Sequence, residues 1–150
     1  MTLDLGAGLQ GAAQRISPVR PDYQNLPIER GFDWPVIAGQ GFDHLYLVVF
    51  RSVRLPGADL DLLRWFDDLA YAEALASGGL LRYFKGDADG LGRCLSFCLW
   101  ESRGAALRAA GGKKHGQAAS ITARMYASYD LERYELTPGK AGGRPVFCRL

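Results

Sequence analysis

The period of apolar and polar positions changes several times along the chain, and each change predicts an element. Residues 1–43 show no sustained period beyond a short helical turn at Gly11–Arg15, and Pro18, Pro21, Pro27 and Pro35 interrupt them. This stretch reads as an extended N-terminal arm. Ile28, Phe32, Trp34, Val36 and Ile37 are too apolar for a free tail, so its second half is expected to lie against the body. From Leu45 to Phe50 the chain is continuously apolar, β-branched and aromatic. It continues to Arg54 and stops at Pro56-Gly57, which predicts a strand. Asp59 then offers a helix N-cap, and Leu60, Leu63, Phe66, Leu69, Ala70 and Ala74 recur at spacings of three and four, up to Gly78-Gly79. Leu80 to Phe84 predicts a second strand, residues 86–90 a hairpin loop, and Arg93 to Trp100 a third strand. Ser102 caps a helical segment that breaks at Gly111-Gly112 and resumes from Lys114 to Ser128. Leu131 to Leu136 predicts a fourth strand, and residues 138–150 a Gly-rich tail.

Strand, helix, strand, strand, helix, strand is a βαββαβ order. Right-handed crossovers and a central hairpin turn that order into a ferredoxin-like α+β domain over residues 44–137: a four-stranded antiparallel sheet with both helices on one face. Such a sheet should be polar on its bare face. Here Leu45, Leu47 and Val49 point one way and Tyr46, Val48 and Phe50 the other, so both faces are apolar. An uncovered apolar face predicts an interface, and a second copy related by a two-fold axis covers it economically. The expectation is a homodimer closing an α+β barrel; the rival is that the arm folds under the sheet and covers it alone.

Composition narrows the class without naming a substrate. Hydrophobic residues are 48% and charged residues 23%, an ordinary globular balance, and the net charge of +2 is too weak to suggest nucleic acid. Cys94 and Cys98 sit about 13 Å apart on one strand, too far to pair or to share a metal. With Cys148 they read as reduced thiols in a cytoplasmic protein. Residues 1–14 lack a signal-peptide pattern, and no apolar stretch reaches a membrane span of about 20 residues.

Three stretches together resemble a known superfamily: LYLVVFRSVRLPG, a strand ending in a Pro-Gly turn; LSFCLWESRGAA, a strand ending at Trp100 before a Ser-capped helix; and AAGGKKHGQAA, a broken helix carrying His115. Residues 46–136 are similar in pattern to the dimeric α+β barrel superfamily, in its antibiotic-biosynthesis-monooxygenase-like branch. The resemblance implies a small-molecule cavity and, as one activity, a cofactor-independent monooxygenase acting on an apolar or aromatic substrate. The alternative is a non-catalytic ligand-binding or structural dimer. Haem-degrading relatives use an Asn on the first strand and a His later on the second helix. Here the first strand has no Asn, Asn25 lies in the arm and His115 comes early, so no cofactor is expected.

Three residues are candidates for ligand contact. Trp100 shares its side of the third strand with Cys94, Ser96 and Cys98, a mix of small groups that leaves room beside an aromatic ring, though a core Trp packing a helix fits the same pattern. His115 starts a helix, where the dipole disfavours its protonation, as either a ligand contact or a solvated side chain. Arg51 interrupts an apolar strand face, so it needs a carboxylate or an anionic ligand unless it reaches solvent. Trp65 with Arg64, Asp67 and Asp68 reads as a solvated helical face. No metal site is expected. The GxGxxG of residues 6–11 lacks the strand and helix of a dinucleotide site. Residues 86–90 lack the closing Glu of a calcium loop, and Gly111-Gly112-Lys113-Lys114 lacks the strand that feeds a phosphate loop.

Overall fold

The first strand becomes the centre of the sheet because both of its faces are apolar. In the computed structural model, which describes residues 8–150, β1 (Leu45–Arg54) is flanked by the third and fourth strands. α1 (Leu9–Ala13) and α2 (Ile28–Gly31) precede it in the arm, with single 3-10 turns at Tyr23–Asn25 and Trp34–Ile37. After β1 come α3 (Leu60–Ser77), β2 (Leu80–Lys85), β3 (Arg93–Trp100), α4 (Arg103–Ala110), α5 (Lys113–Met125), β4 (Tyr126–Thr137) and β5 (Val146–Arg149). The caps are those the side chains specify: the Asp59 carboxylate accepts from Leu62 N at 3.0 Å and Ser102 Oγ from Ala105 N at 3.1 Å. Gly112 has no side chain to cap α5, and the Glu73 carboxylate does so from α3, accepting from Lys114 N at 3.0 Å and His115 N at 3.2 Å.

The sheet runs β2-β3-β1-β4-β5, antiparallel at every pairing. It thus has five strands among the described residues, not four. The tail supplies the fifth, pairing Tyr134–Thr137 with Val146–Arg149. β4 also starts earlier than the helical pattern indicated: Tyr126, Ala127 and Ser128 are strand, because they extend the ladder opposite Val53 and Arg54. Gly6 and Ala7, the start of the GxGxxG stretch, lie outside the described residues.

Two buried clusters sit on opposite faces. On one, Trp100, Tyr46 and Leu80 meet Ala74, Ala105, Ala106 and Ala109 of the helices. On the other, Leu45, Leu47, Val49, Leu95, Phe97, Leu99 and Leu136 meet Ala12, Ala13, Ile16, Ile28, Phe32, Trp34 and Ile37. The arm therefore covers the second face, along both of its halves. Trp34 and Phe32 are 0% and 1% exposed. Their rings stand 5.3 and 5.1 Å from Phe97. Each large apolar side chain buried this way contributes about 1.5–3 kcal/mol. This corrects the premise of the expected homodimer: the apolar face that a second copy was to cover is already covered by the chain's own residues 8–43.

Arg51 locks this layer. It donates to Glu132 Oε2 at 2.6 Å, and to the backbone oxygens of Gln24 and Leu26 in the arm at 3.0 and 2.8 Å. Burial pushes the Glu132 carboxyl up, but hydrogen bonds from Tyr134 and Arg51 outweigh it and hold it below the ordinary 4.5. A lowered native pKa means stability that is present above 4.5 and lost as pH falls through the native value. Acid titration of the unfolding midpoint should therefore show a loss below 4.5 that Glu132→Gln reduces. The same acid loss in both proteins would count against this linkage.

Candidate functional site

Small side chains on two facing layers leave space between sheet and helices. The sheet contributes Ser52, Cys94, Ser96 and Cys98, and the helices Ala70, Ala74 and Ala118. Longer residues at those positions would close the gap at ordinary packing density. The result is a cavity of about 250 Å3 walled by Phe50, Phe66, Tyr71, Tyr83, Trp100, Tyr126 and Tyr129.

Two of the three candidate residues meet here. Trp100 lines the cavity while packing the helices, and it is 4% exposed, as a core Trp is. His115 also lines it, half-buried, its backbone N–H held by Glu73. Arg51 does not join them. It lies in register with Leu95 and Asp130 and faces the arm, where a carboxylate and two carbonyls take its donors.

The cavity's polar apparatus lies elsewhere. Tyr83 Oη donates to Asp67 Oδ1 at 2.7 Å, and Lys85 Nζ meets Asp67 Oδ2 at 2.7 Å. Burial, then the Asp67 charge, pushes the Tyr83 phenol far up, and burial likewise raises Tyr129. Burial and Asp67 push the Cys98 thiol up to about 12, and burial raises Cys94 despite nearby Arg54. These two phenols and two thiols are thus neutral near pH 7, hydrogen-bonding groups and not nucleophiles. The cavity lining also carries the His115 imidazole and the Asp67 and Asp87 carboxylates. Among the described residues, no group of three or more His, Cys, Asp or Glu is placed to hold a metal ion.

The position of Asp67 follows from helical spacing. It follows Leu63 by four and precedes Ala70 by three, so it lies on the inward stripe of α3 and not with Trp65, which is 58% exposed. Arg54 shares the parity of Phe50 and Ser52, which places it on the helix-facing side of β1.

Comparison with known proteins agrees with this architecture. The sequence pattern of the PB2B2.08-like family matches residues 3–145. UPF0643 protein PB2B2.08 of Schizosaccharomyces pombe is 30% identical over 146 residues, covering 85% of this chain. The chain spans 66% of that relative's length. Among solved structures, a candidate antibiotic biosynthesis monooxygenase from Caulobacter crescentus CB15 superposes with a TM-score of 0.53 at 18% identity, over 61% of this chain and 89% of its own. Rv0793 from Mycobacterium tuberculosis does so with a TM-score of 0.52 at 18% identity, over 66% of this chain and 99% of its own. The chain therefore shares the α+β fold of these structures, helices packed on one face of an antiparallel sheet, as the sequence pattern implied.

Proposed function

The chain belongs to the PB2B2.08-like family, and from that premise we propose that it binds a small, flat, apolar or aromatic molecule between its sheet and its helices. The cavity itself carries this reading: small side chains on both layers keep it open, and aromatic rings line it. Tyr83, held by Asp67, orients a polar substituent of the ligand. The cavity lies on the face away from the arm, so ligand binding does not depend on closing a barrel with a second copy. We take the working form to be a monomer.

Cofactor-independent oxygenation of a phenolic or quinol substrate is the second reading. His115 favours it, because an imidazole on the cavity wall is a general-base group of the kind that such chemistry needs to remove the phenolic proton.

Thermal unfolding with 2-naphthol tests the binding reading. At about ten times the dissociation constant, a ligand that binds only the folded chain adds roughly 1.4 kcal/mol, a midpoint rise of roughly 3–6 °C. Ala70→Leu places a branched side chain in the cavity and should abolish the rise. A wild-type midpoint that no apolar arene raises would sink the reading. Oxygen uptake with the same phenols decides the second one.

A further inference from the structure

We propose that the cavity contains an anion site centred on Arg54, so that its ligand is a flat arene bearing a carboxylate or an equivalent anionic group. The proposal rests on the cavity being a ligand site and adds the ligand's charge. Arg54 is the last residue of β1, on the face that also presents Phe50 and Ser52, and it lines the cavity. Its Nε is buried and has no hydrogen-bond partner among the described residues. A buried guanidinium donor without an acceptor is costly, and an anion entering the cavity would satisfy it.

The other cations nearby differ in this respect. Lys85 is paired with Asp67, whose other oxygen takes the Tyr83 hydroxyl. Arg51 and its carboxylate lie on the far side of the sheet. Arg82 also has a buried unpaired Nε, but it donates to Ile16 O and stacks over Phe84 in the arm layer, away from the cavity. Arg64 and Asp87 are exposed residues at the rim. Among the cations that line the cavity, Arg54 is thus the one with a buried donor left without a partner among the described residues. Ser52 lies opposite Cys94 in the ladder, and these positions with Ser96 give Arg54 a floor of small polar side chains. Planar Arg recognises carboxylate with paired N–H donors, which a ligand head group of that shape would meet. Phe50, on the same face of β1, suits the apolar part.

Calorimetric titration of 2-naphthoate against its neutral isostere 2-naphthamide tests this. The wild-type chain should bind the acid roughly tenfold or more tightly than the amide. Arg54→Gln should bring that ratio to about one, and Arg54→Lys should restore part of it. The wild-type ratio requires no variant, so a poorly folded substitution does not blunt the test. Equal wild-type affinities, or a preference for the acid that survives Arg54→Gln, would overturn the anion site while leaving the cavity reading intact. Failure of both compounds to bind would remove the cavity reading, and the anion site with it.

Discussion

Trp34→Ala is expected to lower the unfolding free energy by about 3–5 kcal/mol, the cost of emptying a fully buried Trp site. Trp34 is 0% exposed, and its rings lie 5.3 Å from Phe97 and 5.1 Å from Phe147. Its indole N–H donates to Ile28 O at 2.8 Å, so truncation also removes a buried hydrogen bond. For a chain of this size the unfolding midpoint should fall by roughly 10 °C. Trp65→Ala is the internal comparison. Trp65 is 58% exposed on α3, and its loss should stay within about 0.5 kcal/mol. Denaturant titration of both variants measures the difference. Equal small losses would mean that the arm is not part of the core.

Shortening the chain to residues 44–150 is expected to make it self-associate. The intact chain buries Leu47, Val49, Leu95, Phe97 and Leu99 under the arm, all at 0% exposure. Removing the arm opens that apolar face to water, and a continuous patch of this kind draws a second copy or aggregates. Light scattering at micromolar concentration should report one chain for residues 1–150 and two or more for the short form. A dimer of the 150-residue chain, or a short form that stays monomeric and folded, would contradict this role of the arm.

The arm shows why the sequence disclosed some features and withheld others. β1, α3 and β3 announce themselves because their signals are local: an apolar run, a three-and-four spacing, and a cap such as Asp59 or Ser102. Phe32 and Trp34 signal only that something must cover them; which surface they meet is a long-range matter without a period. That gap allowed a second copy to be invoked for a face the chain covers itself. β5 escaped notice because it is four residues long, edge-placed and follows Gly142, Gly143 and Pro145, which read as a loop. The start of β4 reads as helix in the sequence because Tyr126-Ala127-Ser128 continues an Ala-rich helical composition, and only the pairing with β1 decides it.

The site divides along the same line. Strand parity correctly put Trp100 beside Cys94, Ser96 and Cys98, and put Arg51 with Leu45, Leu47 and Val49. What parity does not supply is which face stays open. The cavity lies on the helix side, and Arg51 lies under the arm. Asp67 and Tyr83 come together across sixteen residues, through the packing of α3 on β2, and neither alone suggests the pair.

The measurement that tests the central claim most directly is the indole N–H spectrum of isotope-labelled protein during titration with 2-naphthol. The three tryptophans report three places: Trp34 in the arm layer, Trp65 on the outer surface of α3 and Trp100 in the cavity. The account predicts that the Trp100 resonance moves with ligand concentration while Trp34 and Trp65 stay in place. Movement of Trp34 instead, or of none of the three at saturating ligand, would contradict it.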